Sequence, residues 1–353
     1  MRRALLLVFL VFLCFPVRQD ANVSFDSSRG VWSRSKNPEL ECRELHLCTR
    51  LNETFYLEGA EGNNEKSPFF DNKKGCALLE KEGIHKIYFA GDSYMRHIYQ
   101  AFMITLSGDY EQGSVPAHIR ENVKYQKSDC ALHRQFFMKN CSDEDRFRPA
   151  SVCPENSGGP VEMIPFKEFY YTMENLNHCR DDAEGTVTLW SGGNHPIGKG
   201  RHTVNNYETY QWKYNETVCA DNRKMSPQLK GAGPAGSFKQ RCSLWWISTH
   251  YRLAAHFKEE IPLRIIEFNE YMRMFMEDGR DCGNVNYVDV YNMTEMLAVN
   301  VTHDAKHLSY DSVHWSMEVN LMKVQLILHA FAGAGVGAAV PLRHVKHRRR
   351  ARV

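Results

Sequence analysis

The chain has 353 residues, of which 43% are hydrophobic, and 44 Lys and Arg against 42 Asp and Glu leave a formal net charge of +2. That is enough apolar material for a sizeable core, and a charge so near zero excludes the broadly basic surface of a nucleic-acid binder. The basic excess sits at the end of the chain, in Arg343, Lys346, Arg348, Arg349, Arg350 and Arg352; without those six charges the rest carries −4.

In chain order, Met1-Arg2-Arg3 precedes an uncharged run from Ala4 to Val17. Fourteen residues are short for a bilayer span and suit the apolar part of a secretory signal peptide. No clean small-x-small cleavage site precedes Asn22, so residues 1–21 are expected to be either a cleaved signal peptide or an uncleaved signal anchor, with the remainder in the lumen. Of the 11 cysteines, Cys14 lies in this leader, and the ten from Cys42 to Cys282 form an even set that fits disulfides in an oxidising compartment. No Cys-x-x-Cys occurs and no His pair has zinc-helix spacing beside a Glu, so no metal is expected. Sequons at Asn22, Asn52, Asn140, Asn215, Asn292 and Asn300 point the same way, to a glycosylated luminal chain. Residues 22–83 are expected to form an N-terminal cysteine-bearing lobe stapled by disulfides.

The apolar run Ile87–Ala90 is short and ends on Gly91, as a buried parallel strand does, and the residues from Tyr94 to Leu106 recur at helical spacing. Between them lies Gly91-Asp92-Ser93, a serine on a tight turn at a helix N-terminus. Backbone N–H groups without intrahelical partners point outward there and favour an oxyanion forming beside the hydroxyl. Asp92 is expected to hold the turn by accepting backbone N–H bonds. Arg96, on the first helical turn, is a candidate for an acyl or sugar oxygen, with an ion pair as the competing role.

Residues 111–175 and 202–241 are polar and dotted with cysteine and give no clear element. Further buried strands are expected at Thr186–Trp190, Leu244–Ser248, Arg264–Phe268 and Tyr287–Val290, with helices over Asn269–Asp278 and Met317–Phe331. Alternation of this kind predicts an α/β domain, a parallel sheet covered by helices, over residues 84–331. Gly192-Gly193-Asn194 follows one predicted strand, where the Asn194 amide either donates to an oxyanion or belongs to an ordinary turn. Before the last helix comes Asp311-Ser312-Val313-His314-Trp315-Ser316. An Asp three residues ahead of a His on one loop folds back to hold one imidazole nitrogen, leaving the other to take a serine proton. Residues 332–353 read as a Gly/Ala linker and a solvated basic tail, with a sorting signal or a contact to acidic glycans or lipids as its functional alternative.

Gly91-Asp92-Ser93 near the start of the domain and Asp311-x-x-His314 near its end together resemble the SGNH (GDSL-like) hydrolase superfamily. Arg96 and the run Asp311 to Asn320 are similar to its PC-esterase branch, which includes the trichome-birefringence-like glycan O-acetyltransferases. The resemblance spans roughly Ile84 to Ala330, and the stretch from Gly30 to Cys76 is similar to the cysteine-bearing segment that precedes the domain in plant members. It implies a three-layer sandwich and a catalytic set of Ser93, Asp311 and His314. Gly193 and Asn194 are the best match to the family's oxyanion Gly-x-Asn, and its lone oxyanion glycine is matched by Gly108 or Gly113. Trp315 and Tyr310 flank the His314 loop and are expected at the substrate.

The activity so implied is acyl transfer to a glycan hydroxyl in the Golgi or elsewhere in the secretory pathway. No bound cofactor is expected, the acetyl group coming from acetyl-CoA or from a luminal acetyl ester. Two alternatives from other classes stay open: a secreted ester hydrolase of the same fold, and a non-catalytic carbohydrate-binding glycoprotein.

Overall fold

A computed structural model describes residues 70–109, 113, 149–165, 184–191, 243–252, 260–277, 285–300 and 313–334, together with the backbone of two short strands at 23–26 and 31–34. Those two, β1 (Val23–Asp26) and β2 (Val31–Arg34), pair antiparallel with Val23 opposite Arg34. The main body is a six-stranded sheet in the order β4-β5-β3-β6-β7-β8. Its strands are β3 (Lys86–Ala90), β4 (Ala150–Val152), β5 (Val161–Pro165), β6 (Thr186–Trp190), β7 (Ser243–Ile247) and β8 (Val285–Val288). Every pairing is parallel except that of the edge strand β4 with β5.

The first parallel strand lies inside the sheet. From β3 the chain adds β5 on one side, then returns to add β6, β7 and β8 in succession on the other. The winding direction therefore reverses between β3 and β6, and in open parallel sheets such a reversal leaves a crevice beyond the carboxyl ends of the two strands, where ligands bind. Ala90 and Trp190, the last residues of these strands, are paired in register.

Strand burial shows that both faces are covered. Ile87, Tyr88, Phe89 and Ala90 of β3 are all buried, and so is every residue of β6. On β7 the neighbours Trp245 and Trp246 point to opposite faces, as successive strand residues do. Trp245 meets Phe331 of the last helix at 5.0 Å, whereas Trp246 meets Phe268 at 5.9 Å and Trp190 at 4.5 Å. One face thus carries helices α1 (Asn72–Glu82), α2 (Ser93–Ser107) and α5 (Met317–Ala334), which pack on one another, and the other carries α3 (Glu260–Glu277). A shorter helix, α4 (Tyr291–Asn300), follows β8. Helices on both sides of a mostly parallel sheet make this a layered α/β unit, as expected. Among the described residues no helix is long and apolar enough to cross a membrane.

Three expectations change. Arg264–Phe268 is helical, inside α3, where Ile265, Phe268, Asn269 and Met272 are buried while Glu267, Glu270 and Met274 face solvent. A spacing of three, one and three residues is the helical period, and the adjacent isoleucines had masked it. Secondly, the last residues of the expected N-terminal lobe belong to the α/β core. Helix α1 is capped by Asp71, which accepts from Lys74 N at 2.8 Å, and stops at Gly83. Phe70, Cys76, Leu78 and Leu79 join the main hydrophobic cluster. Gln325 of α5 accepts from Phe70 N at 2.8 Å and donates to Phe70 O at 2.9 Å, so the segment is tied to the last helix. Thirdly, the disulfide among the described residues joins Cys76 to Cys153, in the turn between β4 and β5, and so staples α1 to the sheet edge.

Candidate active site

The turn from β3 into α2 occupies the crevice edge. Gly91 has φ +152°, and a Cβ there would stand 2.5 Å from Met95 Cγ and 2.8 Å from Ser191 O, so this position accepts only glycine. The close approach to Ser191, the residue after β6, is the switch point itself, and Ser191 N donates to Ala90 O at 3.1 Å. Asp92 is extended and buried, and its Oδ1 accepts from Tyr94 N at 2.9 Å. That is the turn-holding role expected of it, and it starts the helix with Ser93 as its first residue.

His314 arrives from the other end of the chain. It lies in the short segment that leads into α5, and its Nε2 stands 2.6 Å from Ser93 Oγ across 221 residues of sequence. Both side chains are partly exposed. When the serine O–H donates to Nε2, the ring proton is on Nδ1, the tautomer a general base requires. Several bonds fix the segment. Val313 O accepts from His250 Nε2 at 2.7 Å, Trp315 Nε1 donates to Tyr251 O at 2.8 Å, and Asn320 Nδ2 donates to Trp315 O at 2.9 Å and Ser316 O at 2.8 Å.

Of the residues singled out in the sequence, Ser93 and His314 are brought together, and Arg96 lies one turn along α2, partly exposed, with its backbone N–H on Asp92 O. Asp311, Gly193, Asn194 and Tyr310 lie outside the described residues. Trp315, expected at the substrate, is 1% exposed with its indole N–H already donated, so it packs beneath the His314 segment and offers no ring face to a sugar. Gly108 and Gly113 are also misplaced for an oxyanion role. Gly108 caps the far end of α2, Gly113 N donates to Asp109 O nearby, and a helix of this length holds them about 20 Å from Ser93.

Four residues near the pair carry no chemical expectation from the sequence. His97, one helical turn after Ser93, is buried with its ring 5.2 Å from that of His314. Burial holds its pKa well below the usual histidine range, and repulsion from the neighbouring basic groups His314, Arg96, Lys323 and His250 pushes the same way. Its spacing of four from Ser93, which puts both on one helix face, is the sequence signal that would have found it. His250, expected to be structural, follows β7 and packs edge-on against Tyr94 at 4.5 Å; burial and then Lys323 lower its pKa, against the opposing effect of its bond to Val313. Lys323 of α5 is fully buried, and burial holds its pKa well below the lysine range. Tyr94, beside the serine, donates its phenol O–H to Ser248 O at 3.0 Å, and burial first, then Asp92, raises its pKa far above the usual value.

A cavity of about 950 Å³ lies elsewhere, at the carboxyl end of α2, lined by Met103, Ser107, Glu80, Pro149 and the Cys76–Cys153 pair. Neither Ser93 nor His314 lines it. Among the described residues no group of three His, Cys, Asp or Glu side chains is arranged to hold a metal ion. No protein-family model matches this chain, and the search of curated proteins gives no significant match.

Proposed function

We propose that the protein carries out acyl transfer through Ser93, with His314 as its general base and Asp311 as the carboxylate that orients the imidazole. The observation that supports this reading best is the 2.6 Å contact between Ser93 Oγ and His314 Nε2, made at a helix N-terminus in the crevice where the sheet reverses direction. In the first half-reaction His314 takes the serine proton and Oγ attacks an ester or thioester carbonyl. The oxyanion is held by the Ser93 N–H at the positive end of α2, with Asn194 as a second donor. Collapse expels the leaving alcohol or thiol, which takes its proton from His314, and leaves an acyl-serine. In the second half-reaction His314 deprotonates an acceptor hydroxyl, which attacks the acyl carbon and restores the serine.

The acceptor favoured by the resemblance at Gly91–Ser93 and Asp311–His314 is a glycan hydroxyl and the acyl group acetyl, which makes the chain a secretory-pathway glycan O-acetyltransferase. The test is turnover of a chromogenic acetyl ester by the full chain from a secretory host, with and without polysaccharide acceptors. Ser93→Ala and His314→Ala are each expected to lower turnover by about 10⁴-fold or more. Acceptor-dependent acetylation would establish the transferase, and turnover indifferent to acceptor would make the chain a hydrolase. Equal turnover in wild type and both variants would remove the acyl-transfer reading.

A further inference from the structure

The His314 segment is held from below by a buried polar network whose geometry can be read atom by atom. Val313 O is a carbonyl and only accepts, so His250 Nε2 carries a proton and donates to it at 2.7 Å. In the neutral ring His250 Nδ1 is then the acceptor, and the N–H it receives comes from Lys323 Nζ at 3.1 Å. A second N–H of Lys323 goes to Asn320 Oδ1 at 3.0 Å, which turns the Asn320 amide so that Nδ2 donates to Trp315 O and Ser316 O. Lys323 thereby sets both the tautomer of His250 and the orientation of Asn320. Those two side chains in turn hold the carbonyls immediately before and after His314. The same Nζ lies 4.7 Å from the ring centre of Tyr94, the residue next to the serine.

No carboxylate among the described residues is within ion-pair distance of Lys323, although its side chain is fully buried. A lysine buried on those terms is a poor stabiliser of a fold, since removing an amine or ammonium from water is costly without a charge partner. As ammonium or as amine, however, it has N–H groups to give in fixed directions.

We infer that Lys323 is the hub of a positioning network, Lys323–His250–Val313 O and Lys323–Asn320–Trp315 O, that holds His314 in register with Ser93 for acyl transfer. The inference rests on the acyl-transfer reading above. None of these residues touches the reacting atoms; each acts through the loop that carries His314.

The experiment compares full-length wild type, Lys323→Met, His250→Leu and His250→Gln for kcat and KM on a chromogenic acetyl ester and for thermal midpoint, with Ser93→Ala as the control. Lys323→Met keeps the volume and removes the donors. Its kcat is expected to fall on the order of 10- to 100-fold with KM within about twofold, because a base displaced by less than an ångström loses that much rate while substrate contacts stay. Its thermal midpoint is expected to stay level or rise, since a buried amine has been replaced by an apolar chain. His250→Leu is expected to match it in kcat, and His250→Gln, whose amide reaches the same carbonyl, to recover at least about half the lost rate on a logarithmic scale. A purely packing role predicts the reverse: lower thermal midpoints in all three variants, no rescue by Gln, and rates per folded molecule within about twofold of wild type. That outcome, with Ser93→Ala inactive, overturns the positioning role and leaves acyl transfer standing. Turnover unaffected by Ser93→Ala overturns both.

Discussion

The two ends of helix α2 are built from different materials. At its carboxyl end, Met103 and Leu106 pack beside α1, the Cys76–Cys153 disulfide ties that helix to the edge of the sheet, and a cavity of about 950 Å³ opens between them. At its amino end the space around Ser93 is filled by His314, His97, His250, Tyr94 and Lys323, all but the first fully buried. Apolar contact and a covalent bond stabilise a fold at little cost, whereas two histidines kept neutral and a lysine with no carboxylate beside it among the described residues work against it. The cavity lies at the stabilising end, and the costly residues surround the partly exposed Ser93–His314 pair. Perturbed titratable groups concentrated around one hydroxyl point to a functional site independently of where the cavity lies.

The contrast can be broken at either end. Cys76→Ser with Cys153→Ser opens a loop of 77 residues and is expected to cost about 4 kcal/mol of stability, read from denaturant unfolding. Ester turnover per folded molecule should not change. A loss of turnover without a loss of stability would mean that the two ends are not separate. Gly91→Ala acts at the other end. With φ at +152° and Ser191 O 2.8 Å from the new Cβ, it is expected to cost about 3 kcal/mol and to disrupt the Ser93 turn, so that turnover falls in the molecules that still fold. Retained turnover would show that the turn tolerates a shift of the serine.

The buried histidines also predict a pH dependence. His97 and His250 have folded pKa values pushed well below 6.5 by burial, so as pH falls the unfolded chain takes up protons that the folded chain refuses. The stability they allow is intact above about pH 6.5 and is lost below it, at up to about 1.4 kcal/mol per pH unit for each histidine until the folded pKa is passed. Thermal midpoints followed from pH 7.5 to 5 would check this. His250→Gln should remove the part of the slope that belongs to that residue, and an unchanged slope would place the proton uptake elsewhere.

Ser93 and His314 could be read from the sequence because each lies at a junction, one just after a buried apolar run and one just before a helical stripe. Such junctions fall at the edges of a sheet. His250 and Lys323 gave no comparable signal. Lys323 lies within α5, which is buried nearly all round from Val319 to Gln325, so its position carried no sign of a polar face. One of its partners, His250, is 73 residues away, just beyond the end of another strand, and the other, Asn320, lies one turn earlier on the same helix. Strand β5 was hidden for a local reason, since Val161–Pro165 ends in proline within a polar, cysteine-dotted stretch, yet it pairs with β3 and so defines the switch point. Helix α1 has both its caps in the sequence, Asp71 and Gly83, but it lies in the stretch that Cys76 joins to the cysteine-bearing segment before the domain. In the α3 segment the opposite happened, two isoleucines suggesting a strand where the longer spacing was helical.

Acyl transfer as proposed requires Ser93 to be a nucleophile activated by His314. Its most direct test is the mass-spectrometric mapping of a serine-reactive phosphonate on the intact protein, in wild type and in His314→Ala at neutral pH. Labelling confined to Ser93 in the wild type and lost in the variant is the predicted result. Labelling that is absent, that falls on other serines, or that persists at Ser93 without His314 would contradict the account.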